Sequence, residues 1–421
     1  MISIKNIKKT NFDKIPIDPF WNTGDEKELK IHRIHAYPAR FPSFITTKAL
    51  DFAKQNGIQI SQIADVFCGC GTVAVEAKRN NIDFWGCDIN PVATLIAKAK
   101  SRRYIDFRLQ KYYCSILESF NKLSRQSISY EKAPERLRYW YDNSNYKDLA
   151  LLRNAILSSI PKSSEYRFFF LCAFSNILKP TSRWLTKSIK PQVDPKKKTT
   201  NVMFAFQEQC RFMINANKES DATGNSKARI INANFLDETL ERPVVDMIIA
   251  SPPYVTSYEY ADLHQLSSLW LGFAKDYRDL RDGSIGSLHH VYNFDREIKR
   301  LNDAGTHIVF SLLHQYKSKA YSIAKYFLDM QMAAKVCYSM LRKRGMVLFV
   351  IGNTEYKGVR IDNARHLAES LENSGFNEIL VTKRKISKKI LTPYRDKRGR
   401  FTTDSGSRKV YSEEFILIGR K

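Results

Sequence analysis

Residues 60–100 read ISQIADVFCGCGTVAVEAKRNNIDFWGCDINPVATLIAKAK, and the order of residue types along them decides the fold. An apolar run from Ile63 to Phe67 predicts a strand. A glycine-rich turn follows over Cys68–Thr72, then a helix over Val73–Asn80, a strand over Asp83–Asp88, a turn at Asn90-Pro91 and a helix over Val92–Arg102. Strand, helix and strand at this spacing make a βαβ unit, which requires a parallel sheet. Gly69 and Gly71 let the backbone turn tightly and approach a ligand closely.

The turn lacks both phosphate signatures. GxGxxG is absent, and Thr72 and Val73 stand where a Walker Gly-Lys would. Asp88 closes the second strand 23 residues after Asp65, a position from which a carboxylate accepts hydrogen bonds from both hydroxyls of a ribose. A ribose ligand with no phosphate to cradle points to S-adenosylmethionine.

Further along, VVDMIIASPPYVTSYEY spans Val244–Tyr260. A buried strand runs straight into Ser251-Pro252-Pro253, and proline cannot donate to a sheet ladder, so the chain leaves the sheet there as a stiff turn. The plain alternative is a β-turn bearing a surface tyrosine. The functional reading starts from the exocyclic amine of a nucleobase, a poor nucleophile because its lone pair is delocalised into the ring. Fixed acceptors aimed at its N–H groups restore nucleophilicity, and Ser251 Oγ with the Pro252 carbonyl can supply two on a turn too stiff to relax. Tyr254 can stack on a base drawn from the duplex, offsetting with about 1–3 kcal/mol part of an extrusion that costs a few.

DVFCGCGT, GCDINP and SPPY together resemble the cofactor loop, ribose-binding acid and catalytic turn of prokaryotic amino-group DNA methyltransferases, the cytosine-N4/adenine-N6 class. The resemblance covers about 32–100 and 228–421. It implies a Rossmann-like α/β fold: a seven-stranded, mostly parallel sheet, helices on both faces and a reversed last strand. It implies Ser251, Pro252, Pro253 and Tyr254 as catalytic residues, and S-adenosylmethionine held by Asp65, Phe67, Cys68, Gly69, Gly71, Thr72, Asp88 and Ile89. HRIHAYPARFP resembles the segment that closes over the methionine end of the cofactor, which adds Tyr37, Pro38, Ala39 and Phe41. In NANFLDETL, where the family often has Gly-Asp, Asn234 or Asp237 takes the adenine contact.

SPPY is the form typical of cytosine-N4 enzymes, so the expected activity is sequence-specific N4 methylation of cytosine in duplex DNA. Double-stranded DNA is the expected partner, and the enzyme is expected to be one half of a restriction-modification system, with a cognate restriction endonuclease acting separately, or else a solitary modifier. Adenine N6 is the alternative target. RNA or protein glutamine methylation usually accompanies NPPY, and a non-catalytic DNA-binding protein is disfavoured because the glycines, the acid and the turn are intact. No cysteine follows a proline, which leaves no nucleophile for carbon-5 chemistry.

The charge agrees with a nucleic-acid partner. The 421 residues carry 68 Lys and Arg against 43 Asp and Glu, a net +25, and such an excess favours a polyanion. Residues 101–230 hold 24 basic against 11 acidic side chains, and 13 against four follow from Lys383 onward. The predicted organisation is a first half of the catalytic domain over 1–102, a basic helical insertion for target recognition over 103–228, and the second half over 229–421. Arg183, Lys187, Lys190, Lys196, Lys197 and Lys198, beside Trp184, are the expected phosphate contacts, and the loop at about 275–300 is a rival reader.

Seven scattered cysteines form no CxxC pair, which predicts reduced thiols and no metal. No signal peptide and no run of about 18 apolar residues is present, so a cytoplasmic, nucleoid-associated protein without membrane contact is expected. Further along, helices are predicted over about 259–273 and 318–343, the latter stopped by Gly345. His264 and His290 are read as packing or surface residues, and His35 as structural.

Overall fold

The computed structural model describes every residue except 25–26, 125–126, 221–224, 256–258, 288–292, 387–393, 396–400, 403, 405–407 and 410–411; His290 lies outside the described residues. The strands are β1 (Ile2–Ser3), β2 (Gln62–Asp65), β3 (Asp83–Asp88), β4 (Ala228–Asn232), β5 (Val245–Ala250), β6 (Leu341–Ile351), β7 (Thr354–Tyr356), β8 (Val359–Ile361), β9 (Glu378–Lys385), β10 (Tyr394–Arg395), β11 (Phe401–Thr402), β12 (Arg408–Lys409) and β13 (Glu413–Arg420). The main sheet has the order β1-β9-β13-β6-β5-β2-β3-β4. From β6 to β4 all neighbours are parallel. β13 runs antiparallel to both β6 and β9.

This is a Rossmann-like α/β architecture with a reversed last strand. Seven strands match the expectation, and the short β1 adds an eighth, antiparallel to β9. The N-terminal segment continues along that edge: Ile4 N donates to Ile379 O, Asp18 N to Lys383 O and Lys383 N to Pro16 O.

Side chains of the central strands alternate between two apolar cores, as the period of two requires. Ile63, Met247, Ile249, Leu348 and Val350 join one core, with α1 (Ser43–Gln55) and α2 (Thr72–Arg79) above it. Ala64, Ile248, Ala250, Val347 and Phe349 face the other. All six residues of β5 are buried.

Helix α3 (Pro91–Ser101) leads into α4 (Asp106–Leu123), α5 (Glu135–Trp140), α6 (Asn143–Ser159), α7 (Tyr166–Ile177) and α8 (Val202–Glu219) before the chain re-enters the sheet at β4. These helices of the basic insertion share a third core, in which Trp140 stacks on Trp184 at 5.0 Å.

Two local expectations are corrected. The helix expected near 259–273 is broken at His264 into α9 (Tyr260–Leu263) and α10 (Gln265–Leu271). After α11 (Phe294–Glu297) and α12 (Asp303–Leu313), α13 (Lys317–Met340) passes straight into β6 at Leu341. Gly345 is therefore no helix stop. It lies inside β6, where a Cβ would come within 2.9 Å of Asp246 O, near a register shift between Val245 and Met247. Leu341 pairs with Val245, and that sheet contact ends the helix before the glycine. α14 (Asn363–Asn373) precedes β9.

From β2 the chain moves outward to β3, whereas β5 lies on the other flank of β2 and leads to β6. The carboxyl ends of β2 and β5 therefore open side by side at a topological switch point, where α/β sheets bind ligands. FCGCGT follows β2, and SPPY follows β5.

Candidate active site

Both glycines of the turn have positive φ, +48° at Gly69 and +76° at Gly71. A Cβ on Gly71 would sit 2.7 Å from Ala97 Cβ, so only glycine lets α2 begin this close to α3. The Gly69 N–H donates to Asp88 Oδ2 at 2.8 Å, and the Asn90 N–H donates to Asp88 Oδ1 at 2.8 Å. These bonds clip the glycine turn to the end of β3. Burial pushes the Asp88 carboxyl up to about 6, against the pull of those two N–H groups. Asp65 is pushed up to about 8, chiefly by burial with Asp88 adding to it, although Phe67 N–H donates to its Oδ1 at 3.0 Å. Cys68 is buried, and Thr72 Oγ1 is buried without a hydrogen-bond partner. Two enclosed carboxyls with unused acceptor capacity suit a ligand bearing vicinal hydroxyls and positive charge.

Tyr37 reaches this turn from the upstream segment. Its hydroxyl would lie 3.5 Å from a Cβ on Gly69, and its ring stacks on Tyr260 at 5.7 Å and lies 5.2 Å from His264. The segment is pinned on both sides: His32 Nε2 bonds Glu76 Oε1 on α2 at 2.7 Å, and His35 Nε2 bonds Ser175 Oγ on α7 at 2.9 Å. Pro38 and Phe41 are partly buried beyond Tyr37, and Ala39 is exposed with φ +50°.

Asn90 joins the two halves of the site. Its Oδ1 caps α3 by accepting from Val92 N at 2.9 Å, and its Nδ2 donates to His264 Nδ1 at 2.8 Å. The His264 proton therefore sits on Nε2, and burial pushes this imidazole down to about 3, so it stays neutral. Asn232 Nδ2 donates to the carbonyls of Asp88 and Ile89, both at 2.9 Å. Asn234 Oδ1 accepts from Leu236 N, and Asp237 Oδ1 accepts from Thr239 N, each at 2.9 Å. Between them, Phe235 packs edge-on against Phe67 at 6.1 Å. Asn90, Asn232, Tyr260 and His264 carry no local sequence signal as site residues, because their roles depend on contacts between segments far apart in sequence.

At the other wall, Ser251 Oγ donates to Val350 O at 3.1 Å. With its proton so directed, the hydroxyl keeps lone pairs free to accept. Pro252 is buried, while Pro253 and Tyr254 are partly buried. Tyr254 Oη donates to Glu414 Oε1 at 3.1 Å, and Arg384 Nη2 donates to Glu414 Oε2 at 2.5 Å. Burial and the Glu414 carboxylate hold the Tyr254 hydroxyl well above its ordinary value, so it remains a donor.

The basic run divides. Lys187, Lys190, Lys196 and Lys198 are exposed. Lys197 instead turns inward, donating to Trp184 O at 2.7 Å and Lys179 O at 2.9 Å, and burial with the neighbouring Lys179 pushes it down to about 8. Arg183 Nη2 donates to Tyr141 O at 3.0 Å. Trp184 is 2% exposed, which removes it as a stacking surface. Among the described residues no helix is long and apolar enough to cross a membrane.

No family model matches the chain. Type II methyltransferase M.MvaI of Kocuria varians is 24% identical over 401 residues, covering 88% of this chain and 87% of that protein. Type II methyltransferase M.AvaI of Nostoc sp. (strain PCC 7120 / SAG 25.82 / UTEX 2576) is 23% identical over 355 residues, 75% of this chain and 73% of the other. Among solved structures, the rRNA methyltransferase aviRa from Streptomyces viridochromogenes aligns over 93% of this chain and 91% of its own, with 9% identity and a TM-score of 0.31.

Proposed function

We propose that this protein is a type II DNA methyltransferase that methylates the N4 amine of cytosine at a specific site in duplex DNA. The observation that carries the reading is the adjacency of SPPY and the Asp88-clipped glycine turn at one switch point of the sheet. The two type II methyltransferases aligned over most of the chain support the general activity, and the serine in SPPY favours cytosine.

The cofactor is S-adenosylmethionine, which supplies an electrophilic methyl group when bound. Asp88 would hold its ribose hydroxyls, with Asp65, Phe67, Cys68, Gly69, Gly71, Thr72 and Ile89 around it. Tyr37, Pro38, Ala39 and Phe41 would cover the methionine end, and Asn234 the adenine side. The chain's part in the reaction is to hold the base. Tyr254 offers a ring for the extruded base, while Ser251 Oγ and the Pro252 carbonyl accept from its amine N–H groups and draw the lone pair out of the ring. The in-line displacement needs no protein nucleophile, and the released proton can pass to solvent or to Ser251. The exposed lysines of the insertion would track backbone phosphates. A cognate endonuclease would act as a separate protein, and both would work at the nucleoid in the cytoplasm.

The test is to incubate the protein with labelled S-adenosylmethionine and duplex DNA, digest the DNA and resolve its nucleosides by mass. N4-methylcytosine is the expected product. N6-methyladenine would move the target to adenine, and unlabelled DNA would overturn the assignment.

A further inference from the structure

Stacking on a base needs only an aromatic ring, yet the Tyr254 hydroxyl is engaged. It donates to Glu414 at the start of the reversed strand β13. Glu414 lies directly across from Arg384 on β9 in the sheet register, and Arg384 bonds its other carboxylate oxygen. The Arg384 side chain is 4% exposed, and its guanidinium lies 5.6 Å from the centre of the Phe44 ring on α1. On the remaining flank, Gly352 admits the tyrosine so closely that a Cβ there would fall 3.0 Å from ring atom Cε2. A tyrosine ring has two side-chain torsions; fixing its far end against a pinned carboxylate, with backbone against its edge, removes both.

We propose that Glu414, held by Arg384, is a positioning residue for methyl transfer that sets the Tyr254 ring in the orientation on which the extruded base stacks. The inference rests on the reading of Tyr254 as the base platform. The Arg384–Glu414 pair alone would satisfy the two strands; its extension to the Tyr254 hydroxyl joins the sheet's reversed hairpin to the catalytic turn. The two oxygens of Glu414 divide the work, one for each partner.

The experiment uses the full chain and duplex oligonucleotides carrying the site found by modified-base sequencing of DNA from an expressing host. Single-turnover methyl transfer is measured for wild type, Glu414→Gln, Glu414→Ala, Tyr254→Phe and the Tyr254→Phe/Glu414→Ala double variant. Cofactor affinity and thermal melting are followed in parallel. Misplacing the platform should slow transfer about tenfold in Glu414→Ala and in Tyr254→Phe, with cofactor affinity unchanged. Glu414→Gln keeps one acceptor oxygen for Arg384 and turns its amide N–H to the Tyr254 oxygen, which can accept as well as donate, and should retain most of the rate. Because both changes break one contact, the double variant should be no slower than either single one. With 2-aminopurine at the target position, fluorescence should rise in Glu414→Ala, as the extruded base loses its ordered stack. Losses that multiply to about a hundredfold in the double variant, or a Glu414→Ala defect that merely follows the unfolded fraction, would overturn the role of Glu414 alone. Wild-type protein that modifies no DNA would overturn the platform reading as well.

Discussion

Asp88 ends β3 with each oxygen already accepting one backbone N–H, from Gly69 and from Asn90, and a carboxylate has room for about four such bonds. Removing it should weaken S-adenosylmethionine binding by about 1.5–3 kcal/mol, roughly ten- to a hundredfold in Kd. Calorimetric titration of Asp88→Ala checks this, and an unchanged Kd would unseat the residue. The same enclosure has a pH consequence. Both Asp65 and Asp88 are raised in the fold from 3.8, to about 8 and about 6. A carboxyl raised in this way favours the fold fully below its unfolded value, and that contribution is lost as pH rises through its folded value. The buried histidines His35, His264 and His366, pushed down to between about 3 and 4, act in the opposite sense below their ordinary 6.5, so the ligand-free protein should lose stability between about pH 6.5 and 8, where Asp65→Asn should flatten the curve. Denaturant melts across that range measure it; identical curves for wild type and Asp65→Asn would contradict the enclosure of Asp65.

Gly71 links two helices, so its test belongs to elements. Gly71→Ala combines a left-handed φ with overlap of Ala97, and a loss of about 2–4 kcal/mol is expected from strain and overpacking together. Ala97→Gly in the same chain should recover the overlap share and leave the strain, which urea titration of the three proteins would resolve. Elements were legible in the sequence where local chemistry specified them. The strand Asp83–Asp88 has the expected bounds, and α2 and α3 each begin one residue before the predicted start. Legibility stopped where a distant partner intervenes. His264 interrupts an apolar helical pattern at the residue that receives Asn90's hydrogen bond. Two-residue β1 has no period to read, and the Glu414 contact to Tyr254 needs β13 folded back against β6. The motif showed which residues to watch in SPPY, but not that Ser251 spends its proton on Val350 or that Tyr254 is tethered.

Charge acts over the whole molecule. With a net charge of +25, DNA affinity should fall steeply with salt, and the slope of log K against log salt counts the phosphates engaged. Lys196→Ala and Lys198→Ala, both exposed, should each reduce that slope by about 1. Lys197→Ala should leave the slope nearly unchanged and instead loosen the loop, because its ammonium binds the Lys179 and Trp184 carbonyls. Fluorescence anisotropy between 50 and 200 mM salt separates these outcomes, and equal slopes for all three variants would show that composition misplaced the phosphate contacts. The division could not be read from a run of lysines, since burial of one member depends on the loop folding back onto the Lys179 and Trp184 carbonyls.

The outer border of the sheet carries its own consequence. Residues 2–4 and 16–18 bond along β9 and occupy donors and acceptors that a terminal strand would otherwise offer to any passing chain. A version shortened past residue 18 would bare that row and recruit a second molecule strand to strand. Growth of scattering particles on concentration, absent from the intact protein, would reveal the leading segment as a guard against aggregation rather than a dispensable leader to be trimmed for crystallisation.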